Sequence, residues 1–145
     1  MKLIREPQSD ILGWAGAYFN TTFQQPCSAR GIIDNQGQLV GAVVFNCLDA
    51  RNVEMTIVAK HALTPTIARQ IFGLAFGKLN ARRVSLTMRE KDVDTIRKAL
   101  RWGFVIEGRK RDYYDADHAI ILGMTRSECR FLERPHGKHI TRRAA

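Results

Sequence analysis

Apolar positions along the chain change their spacing twice, and each change marks a new kind of element. Leu3-Ile4-Arg5 predicts a short first strand, stopped by Pro7. Ser9 or Asp10 then caps a predicted helix in which Ile11, Trp14, Ala15, Tyr18 and Phe19 recur at helical spacing. Two strand-like runs follow, 29–34 and 39–48, separated by Asn35-Gln36-Gly37-Gln38, where Gly37 suits the positive φ of a tight turn. A third run, 53–59, alternates in part and is rich in strand formers. Together the three runs predict an antiparallel meander.

Helical spacing returns at Thr64-Pro65, an N-cap followed by proline at the first helical position. This helix is predicted to reach about residue 79. It carries Ile67, Ile71, Phe72, Leu74, Ala75, Phe76 and Leu79, a face wide enough to lie deep against a sheet. A strand over 83–88 precedes a second helix over 92–102, with Val93, Ile96 and Leu100 as its apolar face, Asp92 as a cap and Gly103 as its C-cap. Runs 104–107 and 119–124 are the last predicted strands, and a short helix is expected over 127–132. The order is βα, a meander, then αβαββ. A strand-helix-strand unit after a meander implies an α/β (α+β mixed) fold, a central mixed sheet of about six to seven strands flanked by helices. No repeat or linker interrupts it, so residues 1–132 read as one domain and 133–145 as a basic tail.

Composition narrows the field. The 145 residues suit a single core, and 45% hydrophobic with 26% charged residues excludes a disordered chain. No apolar run approaches the roughly 18 residues of a membrane span, and the opening residues lack the apolar centre of a secretory signal. A cytoplasmic protein without a membrane partner is expected. Lysine and arginine total 23 against 14 acidic residues, a net charge of +9. That balance favours acidic partners: nucleic acid, a phosphorylated cofactor or an acidic protein surface. Arg82-Arg83, Arg97-Lys98, Arg101 and Arg109-Lys110-Arg111 supply more cations than a small cofactor needs. The remainder serves either a solvated surface or an acidic acceptor. Cys27, Cys47 and Cys129 are far apart with no Cys-x-x-Cys pair, which argues against a disulfide framework or zinc knuckle. His136-x-x-His139 has no further ligands nearby, so no metal is expected.

The element order, with Ile96-Arg97-Lys98-Ala99-Leu100-Arg101-Trp102-Gly103-Phe104 and the run 104–109 ahead of Asp112-Tyr113-Tyr114, resembles the GCN5-related N-acetyltransferase superfamily. The likeness covers about residues 3–125 and looks closest to small bacteriophage-type members, with similarity to the ribosomal-protein acetyltransferase branch. It implies a co-substrate, acetyl-coenzyme A, and transfer of its acetyl group to an amine by direct attack. A strand over 55–60 would part from its neighbour at 84–88 and offer its backbone to the pantetheine amides. The turn at its end would meet the pyrophosphate beside a helix N-terminus. The cofactor contacts implied are Ile57, Val58, Ala59, Lys60, His61, Ala62, Leu63, Thr64 and Thr66.

For the chemistry, Glu54 stands where many members carry a carboxylate that deprotonates the incoming ammonium, and the alternative is a solvent-facing strand glutamate. The family's tyrosine before the Gly-Phe pair falls on Ala99, leaving Tyr113 and Tyr114 as candidate phenols; such a pair also serves simple sheet-edge packing. Ser85 and Thr87 are placed to line the groove. The family's loop glycines fall on Ala62 and Thr64, and Pro65 lacks an N–H. The resemblance therefore admits three functions: an N-acetyltransferase acting on an amine of unknown identity, including one on an acidic protein or a tRNA-like molecule; a catalytically inactive binding or structural protein of a phage particle or aimed at a host factor; and a basic nucleic-acid-associated module. A homodimer is compatible with each.

Overall fold

The computed structural model describes residues 1–23, 27–47 and 49–132; the tail predicted for 133–145, with His136 and His139, lies outside the described residues. The chain runs β1 (Lys2–Ile4), α1 (Gln8–Phe19), β2 (Cys27–Ile33), β3 (Leu39–Cys47), β4 (Asn52–Ala59), α2 (Pro65–Gly73) continued by a π turn (Leu74–Lys78), β5 (Arg83–Arg89), α3 (Val93–Trp102), β6 (Val105–Tyr114) and β7 (Asp117–Thr125). The seven strands form one mixed sheet in the order β1-β2-β3-β4-β5-β7-β6. The predicted element order and fold class match this architecture.

Alternation along the strands divides the core into two layers. Ile32, Val43, Phe45, Val53, Met55, Val84, Leu86, Leu122 and Met124 face α2 and α3, whereas Ala29, Ala42, Val44 and Val58 face Ile11 and Ala15 of α1. The thicker layer centres on Phe72, whose ring lies 5.3 Å from Phe131, 5.7 Å from Trp102, 6.0 Å from Phe104 and 6.4 Å from Phe76. Burial of a ring of this size contributes about 1.5–3 kcal/mol. This cluster therefore anchors α2, and with it the end of β4, against the sheet.

Several local expectations are corrected. Neither Ser9 nor Asp10 caps α1, because the helix begins at Gln8 with Pro7 at the N-cap. The Gln8 amide clamps β2 instead, accepting from Ala29 N at 3.0 Å and donating to Ala29 O at 2.8 Å. Asp92 holds the N-cap position of α3 without a side-chain cap bond. The face expected to be apolar and buried on α3 is also rotated: Val93 is 48% and Leu100 41% exposed. Ala99 is buried and Trp102 packs on Phe72, since the small alanine lets the helix settle closest on that side. Gly103 ends α3 at φ +106°, a left-handed value that favours glycine. The last expected helix is a single 3-10 turn, Arg126–Glu128. β6 also runs far beyond residue 107, to Tyr114, because it pairs with β7 along most of its length.

Candidate functional site

β4 and β5 are parallel but share only three backbone pairs: Asn52 with Arg83, Val53 with Val84 and Glu54 with Ser85. Both strands continue for several residues past that point, β4 to Ala59 and β5 to Arg89, without further pairing to one another. The other edges stay zipped. β4 remains paired to β3 up to Gly41–Ala59, and β5 to β7 up to Arg89–Ala119. The sheet therefore forks at Glu54.

Ladder alternation fixes which backbone groups point into the fork. In an antiparallel pair, every second residue exchanges hydrogen bonds with the partner strand and the residues between turn theirs outward. Lys60 N donates to Val40 O at 2.8 Å, so Lys60, Val58 and Thr56 bond toward β3. Arg82 N donates to Arg51 O at 2.7 Å on the other side, in the same alternation. The Met55 N–H closes the last parallel pair, donating to Ser85 O, so the Met55 C=O and the N–H and C=O groups of Ile57 and Ala59 face the open seam. Of the four strand residues expected to meet a cofactor, Ile57 and Ala59 direct their backbones into the fork; Val58 and Lys60 direct theirs to β3. The Lys60 side chain turns away as well, with Nζ 5.8 Å from the centroid of Trp14 on α1.

At the end of the fork, residues 61–64 lead into α2. His61 and Ala62 are exposed, and Leu63 is half-buried against the core. Thr64 is the N-cap as expected, its Oγ1 accepting from Ile67 N at 3.2 Å. With the Ile67 amide used in this way and Pro65 lacking one, Thr66 offers the donor at the helix start. Arg69, one turn along, donates to Thr66 Oγ1 at 3.4 Å and brings a cation beside it.

Chemistry-bearing side chains gather on the sheet face opposite α2. Glu54 and Thr87 come from the two arms of the fork, and Thr87 Oγ1 donates to Glu54 Oε2 at 3.1 Å. Both are half-buried. Tyr114 joins them from the far end of β6, its ring 4.4 Å from the Arg89 guanidinium. Burial raises the Tyr114 phenol above its ordinary pKa; Tyr113, Glu54 and Asp117 push the same way and Arg89 opposes them. The phenol is consequently protonated at neutral pH. Tyr113 is different: 52% exposed, it packs edge-on against the Tyr114 ring, with Lys110 Nζ 5.5 Å from the centroid of its own ring.

The β6–β7 turn that delivers Tyr114 is tied down by Asp117. Burial pushes this carboxylate up, but bonds from Lys91 N at 3.1 Å and His118 N at 2.8 Å outweigh it and hold the group below its usual pKa. Lower on the same face, Arg83 and Glu107 form an ion pair directly over Gly123. A Cβ at that glycine would collide with both partners. Nothing in the sequence distinguishes Arg89 or Arg69 from the many other cations, and only the strand register and helix turn bring them to the site.

No protein-family model matches the chain, and no curated protein matches it. Among solved structures, it is similar to a variant of the spermidine N-acetyltransferase SpeG from Vibrio cholerae, with a TM-score of 0.74 and 14% identity over 88% of this chain and 96% of that one. A dodecameric structure of spermidine N-acetyltransferase from the same organism gives 0.73 and 14%, covering 87% and 94%. A chimera of the Vibrio cholerae enzyme and hSSAT gives 0.71 and 13%, covering 88% and 98%. At such identities the likeness is one of fold: the chain has the mixed α/β, GNAT-like fold that these N-acetyltransferase structures share.

Proposed function

We propose that the protein is an acetyl-coenzyme A-dependent N-acetyltransferase, with its site at the fork of β4 and β5. The observation that carries this reading is the parting of the two strands after Glu54–Ser85. An open parallel seam leaves a line of main-chain donors and acceptors, which suits an extended ligand bearing amides of its own. Acetyl-coenzyme A is such a ligand, and it supplies the acyl group as an activated thioester.

The chain's own groups divide the remaining work. The Met55 carbonyl and the main chain of Ile57 and Ala59 hold the extended part of the ligand, and the start of α2, with Thr66 and Arg69, attracts its phosphates. Glu54 takes a proton from the acceptor's ammonium, because only the neutral amine is a nucleophile. Thr87 fixes the carboxylate that does so. Tyr114 keeps a proton on Oη at neutral pH and is the acid of the site, while Tyr113 buttresses its ring. The acceptor is an amine. A net charge of +9 opposes the long-range approach of a polycation such as spermidine, so an amine on a neutral or acidic molecule fits this chain better.

The self-capped start of α2 favours one second reading, a binding protein on the same fold without turnover. Calorimetric titration with acetyl-coenzyme A, followed by an acetylation assay over a panel of amines, tests both. Binding with transfer is expected. Binding without transfer to any amine would favour the second reading, and no heat at millimolar ligand would remove both the cofactor and the proposed activity.

A further inference from the structure

We propose that a second site, apart from the fork, holds a small tetrahedral oxyanion of the phosphate class, in a recess of about 100 Å³ lined by Arg5, Arg30 and Lys78 together with Ser28. Phe45, Leu74 and Leu79 wall the recess, which lies between the end of β1, β2 and the π turn that follows α2.

Arg30 is the group that calls for a ligand. It is only 8% exposed, yet the bonds of its guanidinium go to Ser28 Oγ at 3.1 Å and Ala29 O at 2.8 Å, neither of them a charge. No carboxylate pairs with it among the described residues. Buried charges are ordinarily paired, because desolvation costs more than neutral partners return. Arg5 does not compensate Arg30 but adds to the problem: burial first, then the Arg5 charge, lowers the pKa of the guanidinium. Glu6, the one acidic group acting on it, sits in solvent 3.7 Å from Arg5. Arginine does not give up its proton under such pressure, so the charge stays and attracts an anion.

The walls choose the kind of anion. A recess of this size has room for several waters, at about 10–15 Å³ each, and therefore for one compact oxyanion, with a wider groove of about 380 Å³ beside it that shares Arg5 and Arg30. Planar guanidinium forks suit phosphate oxygens, and Ser28 adds a hydroxyl. The apolar walls lower the local dielectric and strengthen whatever ion pair forms there.

Inorganic phosphate is the probe. At constant ionic strength, phosphate is expected to raise Tm above the value in chloride, and to shift the Arg30 Nε–Hε resonance saturably in a heteronuclear NMR titration. Arg5→Gln with Lys78→Gln, both at exposed positions, is expected to weaken phosphate binding about tenfold or more while the fold is retained; Arg30→Gln, which risks the fold, is not required. Phosphate stabilising no more than chloride would overturn the proposal. So would equal affinity in the double variant, which would put the ion elsewhere, for example at the start of α2. Acetate binding as well as phosphate would overturn the tetrahedral assignment.

Discussion

Thr87 Oγ1 donates to Glu54 Oε2 at 3.1 Å across the gap between β4 and β5, just beyond the last backbone pair that joins the two strands. One side-chain bond thus replaces the backbone ladder at the point where the ladder stops. It aims a carboxylate at the mouth of the fork. Removing the carboxylate by Glu54→Gln is expected to lower kcat by about 10²–10⁴-fold with acetyl-coenzyme A affinity unchanged. Thr87→Val, which loosens the carboxylate without removing it, is expected to cost less, and a larger loss than Glu54→Gln would contradict this order.

Tyr114→Phe removes a phenol and leaves the ring on Arg89. Activity is expected to fall while Tm at neutral pH changes little. The pH dependence has a definite sign. A phenol whose folded pKa is raised stabilises the protein fully below its unfolded pKa near 10, and that contribution is lost as pH rises through the folded value. The native protein should therefore lose stability above pH 10 more steeply than the variant. Parallel alkaline unfolding curves would count against a buried phenol.

Amide exchange reads the fork directly. Ile57 and Ala59 are expected to exchange faster than their neighbours Thr56, Val58 and Lys60, which donate to β3. Acetyl-coenzyme A should slow the first set and leave the second unchanged. Uniform protection along β4 in the absence of ligand would mean that the seam is closed in solution.

Packing gives a stability prediction. Phe72 is fully buried and in ring contact with Phe76, Trp102, Phe104 and Phe131. Phe72→Ala is expected to cost about 3–5 kcal/mol, read from denaturant unfolding. Thr64→Ala, which removes the cap of α2, should cost about 1 kcal/mol.

Asp117 supplies an acid-side test. Its lowered pKa gives stability that is complete above the unfolded value near 3.9 and is lost as pH falls through the folded one. Asp117→Asn should flatten acid unfolding in that range, measured by circular dichroism against pH.

Local signals in the sequence are decisive where one residue type favours one geometry. Thr64-Pro65 could only begin a helix, Gly103 could end one, and the spacing of three strand runs around residues 35–38 defined the meander. Failures arose where two rotations of one element both look apolar. α3 offers Val93, Ile96 and Leu100 on one side and Ala99 with Trp102 on another; side-chain size, set by what Phe72 leaves room for, decides between them. The candidate site was legible in part. Glu54 and Thr87 lie at positions a strand pattern can pair, but Tyr114 reaches them only through β6 pairing beyond residue 107, and Arg30 reads as one more surface cation until β2 is set under the π turn.

The ligand-facing edge of β4 is made of peptide units. Any non-proline residue compatible with an extended strand presents the same donors and acceptors at positions 57 and 59, and the same acceptor at 55. The ligand contact therefore puts no demand of its own on side chains along this strand, which answer instead to the core at Val53, Met55 and Val58, so long as the path past Glu54 still diverges from that of β5.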